Sequence, residues 1–210
     1  MKERGQTEKE IIRAALELFV TKGYHNTSID EITKRVGFSK GALYAHFKSK
    51  GDLLHRLIEE FRSHWAEDLL RVVDESKGNA VDKLHQIISI DAKFAIENES
   101  LSVFLTFLTT ELKSDIRFEP ALKSLYRAFH KVITKIVEQG IREGVFRKDL
   151  SPELVAFIYL AMHDGLIHQW ILNRNYIDGR QYIRSFRRIL IDGLCSHPAG
   201  NAVGSESKGV

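Results

Sequence analysis

Cysteine and proline are scarce in this chain: among 210 residues there are one cysteine, Cys195, and three prolines, at 120, 152 and 198. A single thiol excludes an internal disulfide and a cysteine-built zinc cluster, and near a helix end it reads as a small core residue. Long apolar runs are missing too. The longest strongly apolar stretch, Val155 to Met162, is far short of the roughly 20 residues that a spanning helix needs. The opening MKERGQTEKE is charged and carries no signal-type apolar segment, so the expected location is the cytoplasm, away from the membrane. The triplets Asn26-Thr27-Ser28 and Asn98-Glu99-Ser100 are then accidental matches to a glycosylation site. No G-x-x-x-x-G-K phosphate loop or paired-cysteine spacing occurs, and neither an enzyme nor a cofactor is expected. Neither sign of charge dominates, with 31 Lys and Arg against 28 Asp and Glu. The positive excess sits in residues 1–50, which hold ten basic side chains against six acidic ones. Such an asymmetry favours an anionic partner for that segment, although surface lysines are commonly just solvated.

What is present is helical periodicity. Apolar residues recur at three- and four-residue spacing in Ile11, Ile12, Ala15, Leu16 and Phe19, again from Leu54 to Val72, and again from Leu122 to Ile141. Residues 100–109 have some β propensity, but they lie between helical patterns with no hairpin turn and read as a buried helix. Ser151-Pro152-Glu153 fits N-cap, N1 and N2 of a helix. The expected fold is all-α with about nine helices. The expected organisation is a helix-turn-helix unit over 1–50, a larger helical domain over 51–196, and a disordered tail over 197–210.

The segment 32–54, ITKRVGFSKGALYAHFKSKGDLL, is broken by Gly37, Ser39 and Gly41 and contains four lysines. Gly23 stops the first helix, and Ser28 with Glu31 fits a capping box that starts a short helix at Ile29. That helix ends at Gly37. Ser39 then caps a second one reaching about Phe47, and Ser49 with Asp52 caps a long helix beyond it. Two short helices joined by a glycine-containing turn form a helix-turn-helix, whose second helix fits the DNA major groove. Gly41 costs about 1 kcal/mol of helix stability relative to alanine. A bare position there lets the helix N-terminus approach phosphates closely. Lys40, Lys48 and Lys50 add counterion-releasing contacts, while Tyr44 and His46 offer hydrogen bonds to phosphates or base edges. Leu43 and Phe47, four apart, read as a small core. Tyr44 lies one residue off that stripe and faces outward.

Residues 23–54, GYHNTSIDEITKRVGFSKGALYAHFKSKGDLL, together with IIRAALELFVTKGY upstream, resemble the DNA-binding region of the TetR family of bacterial transcriptional regulators. Beyond the first quarter of the chain the resemblance rests on length and helical patterning. It implies a homodimer on a palindromic operator, usually a repressor released by a small molecule. By resemblance, Thr27, Ser39, Lys40, Gly41, Tyr44, His46 and Lys50 touch DNA. One position departs from the family pattern. Many members carry a second aromatic after the one matching Tyr44, where this chain has Ala45, whose methyl suits thymine contact instead.

Residues 152–172 are apolar on nearly every side, and 180–195 repeat the theme with Ile183, Phe186, Ile189, Leu190 and Leu194. A helix apolar all round must be covered from two directions, so these two segments are the expected homodimer interface. Candidate effector-pocket residues are Trp65, Phe94, Phe104, Phe107, Tyr126, His130 and His163, with Asp164 a further polar contact. Aromatics at helical spacing are more often core than pocket, and their number here suits a mainly apolar ligand. Pairs four apart, Asp164 with His168, His55 with Glu59 and His64 with Asp68, are close enough to share a metal, although no metal site is expected. A metal-responsive regulator and a helical protein-interaction adaptor are the alternatives, and the adaptor leaves the lysine-rich turn unexplained.

Overall fold

The structure, a computed structural model, describes residues 4–111 and 119–196. The expected tail over 197–210 lies outside the described residues. Nine α-helices occupy the described residues: α1 (Arg4–Lys22), α2 (Ile29–Val36), α3 (Lys40–Tyr44), α4 (Lys50–Glu75), α5 (Ala80–Glu97), α6 (Glu99–Glu111), α7 (Glu119–Glu143), α8 (Pro152–Asn173) and α9 (Gly179–Leu194). The class is all-α, and the stretch with β propensity is α6. Among the described residues no helix is long and apolar enough to cross a membrane.

Local chemistry accounts for most of the helix ends. Ser28 accepts from the Glu31 amide while the Glu31 carboxylate accepts from the Ser28 amide, which satisfies two orphan donors at the start of α2. Gly37 ends α2 at φ +72°, a left-handed conformation that costs glycine little. Ser39, Ser49, Asn79, Ser151 and Asp178 cap α3, α4, α5, α8 and α9 through their side chains.

The core runs as a single cluster from α1 to α9. Phe19 of α1 stacks on Phe104 of α6 with centroids 5.7 Å apart, and Phe61 of α4 meets Phe94 of α5 edge-on at 5.1 Å. Helix α7 packs on α8, α4 and α5, so it is the spine of the larger part of the molecule. After α7 the chain turns at Gly144, and Phe146 pairs with Cys195 as an isolated antiparallel bridge. Around that bridge the Arg147 amide donates to the Leu194 carbonyl and the Ser196 amide to the Val145 carbonyl, each at 3.0 Å.

Helix α8 resolves into two faces. Val155, Ala156, Tyr159 and Leu160 are buried, whereas Leu154, Phe157, Ile158 and Leu172 are exposed. On α9, Phe186, Leu190, Ile191 and Leu194 are buried, and Ile189 is 67% exposed. Phe186, expected at a subunit interface, instead packs inside the monomer against Tyr159, with ring centroids 6.1 Å apart.

Candidate nucleic-acid interface and effector cavity

Helices α2 and α3 pack across the turn Gly37-Phe38-Ser39, and Leu43 and Phe47 are buried beneath α3. Tyr44, one residue off that stripe, is 51% exposed. Helix α3 ends at Tyr44, earlier than the sequence suggests, yet the amides of His46 and Phe47 still donate to the Leu43 carbonyl and hold the following turn. A side chain added at Gly41 would meet only Ser39 Oγ, at 3.7 Å. Nothing among the described residues therefore requires glycine there.

Ser39, Lys40, Gly41, Tyr44, Ala45 and Lys48 are exposed and His46 is half-buried, so the structure brings them together around the short helix. Lys40 Nζ lies 2.7 Å from Asp30 Oδ1, a hydrogen bond that raises the lysine pKa. This exposed pair leaves the ammonium near the start of α3. The Lys48 amide donates to Asp52 Oδ2 at 2.9 Å while its side chain stays in solvent.

Thr27 and Lys50 are placed differently from the sequence reading. Thr27 is 1% exposed, and its hydroxyl is 2.9 Å from the Gly23 carbonyl and 3.3 Å from that of Leu18. Lys50 Nζ donates to the carbonyls of Tyr24, His25 and Thr27 at 2.9, 3.3 and 2.8 Å, and sits 4.5 Å from the Tyr24 ring centroid. The turn between α1 and α2 exposes carbonyls that no helix satisfies, and the ammonium is their donor.

Further along, α4 passes beside a small cavity of about 40 Å³ with walls that include Phe61, Phe94, Leu105, Leu125, Phe129 and Leu160. Tyr126, His163, Asp164 and Asp91 supply its polar side. Tyr159 donates to Asp91 Oδ2 at 2.5 Å, Tyr126 donates to Asp164 Oδ2 at 3.0 Å, and His163 Nδ1 is 3.5 Å from Asp164 Oδ1. Burial pulls the His163 pKa down, but the bond to Asp164 and the charges of Asp91 and Asp164 outweigh it, leaving the pKa raised. Burial and then the adjacent Asp164 push the Tyr126 phenol well up. Burial and then Asp91 do the same for Tyr159. Both tyrosines thus remain neutral donors at ordinary pH.

Of the seven expected pocket residues, Phe94, Tyr126 and His163 line this cavity. Phe104 does not, because its ring packs on Phe19. His130 lies apart as well, its Nε2 3.0 Å from the Glu153 carbonyl and its ring 4.2 Å from that of Phe157. The side chains of Trp65 and Phe107 lie outside the described residues. Sequence reading missed Asp91, which was detectable as the acid interrupting the apolar stripe Leu84, Ile87, Ile88 of α5. Among the described residues no three His, Cys, Asp or Glu side chains gather to hold a metal ion; of the four-apart pairs, the side chains of His64 and Asp68 lie outside the described residues.

A helix-turn-helix near the N-terminus, joined by one long helix to a larger helical body, defines a helix-turn-helix transcriptional regulator. The chain belongs to the TetR family: residues 11–57 match the model of bacterial regulatory proteins of the tetR family, and residues 77–194 match the tetracyclin repressor-like C-terminal domain. It is 30% identical to the HTH-type transcriptional regulator TtgR of Pseudomonas putida, over 84% of this chain and 85% of that one. Among solved structures it is similar to the MbdR regulator from Azoarcus sp. CIB, with 30% identity, a TM-score of 0.80, and coverage of 90% of this chain and 100% of that one. FadR from Bacillus subtilis in complex with stearoyl-CoA shares the fold, with a TM-score of 0.76 at 24% identity over 89% of this chain and 98% of that one.

Proposed function

We propose that this regulator binds a near-palindromic operator as a homodimer, represses transcription from it, and is released by a small, mainly apolar effector. Residues 1–50 read DNA and residues 51–196 sense and pair. The observation that carries this reading is the exposed face of Ser39, Lys40, Gly41, Tyr44, His46 and Lys48 around a capped helix whose buried side is fully packed. Two such faces about 34 Å apart, one turn of DNA, would meet successive major grooves. The apolar residues exposed on α8 and α9 support pairing. The stearoyl-CoA held by the similar FadR supports a small-molecule effector. Helix α4, 26 residues long, joins the two activities, since it starts beside Lys48 and carries Phe61 to the cavity. An effector that prefers one arrangement of α4 by about 1–3 kcal/mol changes operator affinity roughly 5- to 150-fold, and operator changes effector affinity by the same factor.

The test is a mobility-shift titration against the DNA upstream of the chain's own gene, repeated across a salt series. Lys48→Ala should lower the slope of log affinity against log salt by about one, and Tyr44→Phe should cost about 0.5–1.5 kcal/mol. Unchanged affinity and slope in both variants would remove the DNA-reading role from this face.

A further inference from the structure

The lysine-rich segment 23–54 holds three acids, Asp30, Glu31 and Asp52. Two of them serve the fold. Glu31 closes the capping box of α2 and bonds to Lys22, and Asp52 accepts from the Lys48 amide at the start of α4. The Asp30 carboxylate does neither. It stands on the first turn of α2, more than half exposed, with Oδ1 2.7 Å from Lys40 Nζ across the turn between the two helices. Lys40 is the first residue of α3 and interacts electrostatically with Tyr44, one helical turn on, so the carboxylate lies on the side of the proposed DNA-reading face. An exposed ion pair of this kind adds little to stability, so the fold does not account for the acid. Phosphate does not account for it either, since a backbone phosphate repels a carboxylate and offers it no donor.

We propose that Asp30 and Lys40 read one G·C base pair in the operator half-site as a unit, the ammonium on guanine and the carboxylate on cytosine. This rests on the DNA-reading role of the face and names a base pair that the face selects. The major groove supplies only two kinds of donor to a carboxylate, the amino groups of cytosine and adenine. Lys40 decides between them. Its ammonium has three protons and Asp30 takes one, which leaves two for N7 and O6 of guanine. Cytosine N4 lies next to O6, hydrogen-bonded to it at about 2.9 Å, and the ion pair presents its own donor and acceptor at nearly that spacing, 2.7 Å. The two contacts can therefore form side by side without parting the pair. An A·T pair fits less well. Its donor, adenine N6, sits between the acceptors adenine N7 and thymine O4, so a carboxylate on N6 is flanked by two partial charges of its own sign.

The experiment selects duplexes from a randomised pool with the full chain, then measures mobility-shift affinity for the selected operator with each base pair of one half-site changed in turn. In the wild type, changing one G·C pair to A·T should cost about tenfold. Asp30→Ala should cut that penalty to about threefold and leave the penalties at other positions as they were, while its melting profile stays native. Lys40→Ala should relax the same position. An unchanged base profile in a folded Asp30→Ala protein, or relaxation at an A·T pair instead, would overturn the assignment. A steeper salt dependence with an unchanged profile would make Asp30 no more than a mask on Lys40, and overturns it too. Selection of no duplex at all would remove the DNA-reading role together with this one, whereas an operator whose base profile ignores Asp30 sinks the base assignment alone.

Discussion

Lys50 shows how a residue can sit in a DNA-binding motif and serve the fold. Its ammonium reaches back to three carbonyls that lie 23 to 26 positions earlier in the chain. No spacing within the motif announces that contact, because it exists only once α1 and α4 have packed. Thr27 turned inward for the same reason. Tyr44, by contrast, was legible, since its outward direction follows from a one-residue offset against Leu43 and Phe47. The expected consequence at position 50 is loss of stability. Lys50→Met removes the charged donor, with hydrogen bonds to charged groups worth about 1.5–3 kcal/mol, so the melting temperature should fall. The salt slope of operator binding should stay at the wild-type value, in contrast to Lys48→Ala. A reduced slope in a protein that melts normally would return Lys50 to the phosphate-contacting set.

At the level of elements, helix ends were the most readable feature, because caps are short-range chemistry. Ser28 with Glu31, Gly37, Ser49 with Asp52, and Ser151 before Pro152 act where their spacing placed them. The end of α3 was less so, since a turn continues its hydrogen bonding to Phe47. The pocket was partly readable: Phe94, Tyr126 and His163 face it, whereas Phe104 and His130 occupy stripes of the same character that pack elsewhere. Which stripe borders a hollow depends on helix crossings that periodicity does not encode. One close approach within α7 gives a test. A methyl on Gly140 would lie 2.1 Å from Cδ2 of Phe146, a ring with no exposed surface. Alanine is the better helix former by about 1 kcal/mol, yet Gly140→Ala should be net destabilising, with overpacking costing about 1–3 kcal/mol or more. Chemical denaturation measures the sign, and a stabilised variant would mean that Phe146 has room to move.

For the whole molecule, the all-round apolarity of α8 resolves into a core face and an outward face, and the outward face supports the proposed pairing of two chains. Phe157→Glu or Ile189→Glu should give monomers in light scattering with the helical spectrum intact, and should weaken operator binding because one half-site alone remains. Dimers that persist in both variants would move the pairing surface off these helices. Phe186→Glu is a different experiment, since that ring lies in the core and its loss should unfold the region.

The antiparallel bridge at Phe146 and Cys195 closes the chain on itself. Everything from Val145 to Ser196, α8 and α9 included, is a loop fastened at its base by two backbone hydrogen bonds. Closing so long a loop costs chain entropy only logarithmically in its length, so a small clasp can hold it. Such a segment tends to open as one cooperative unit, and its slowest amide protons should then report one shared opening free energy in hydrogen exchange. If the outward face of α8 pairs two chains, assembly slows the exchange of the entire loop together, so that quaternary structure is written into the local breathing of a single segment.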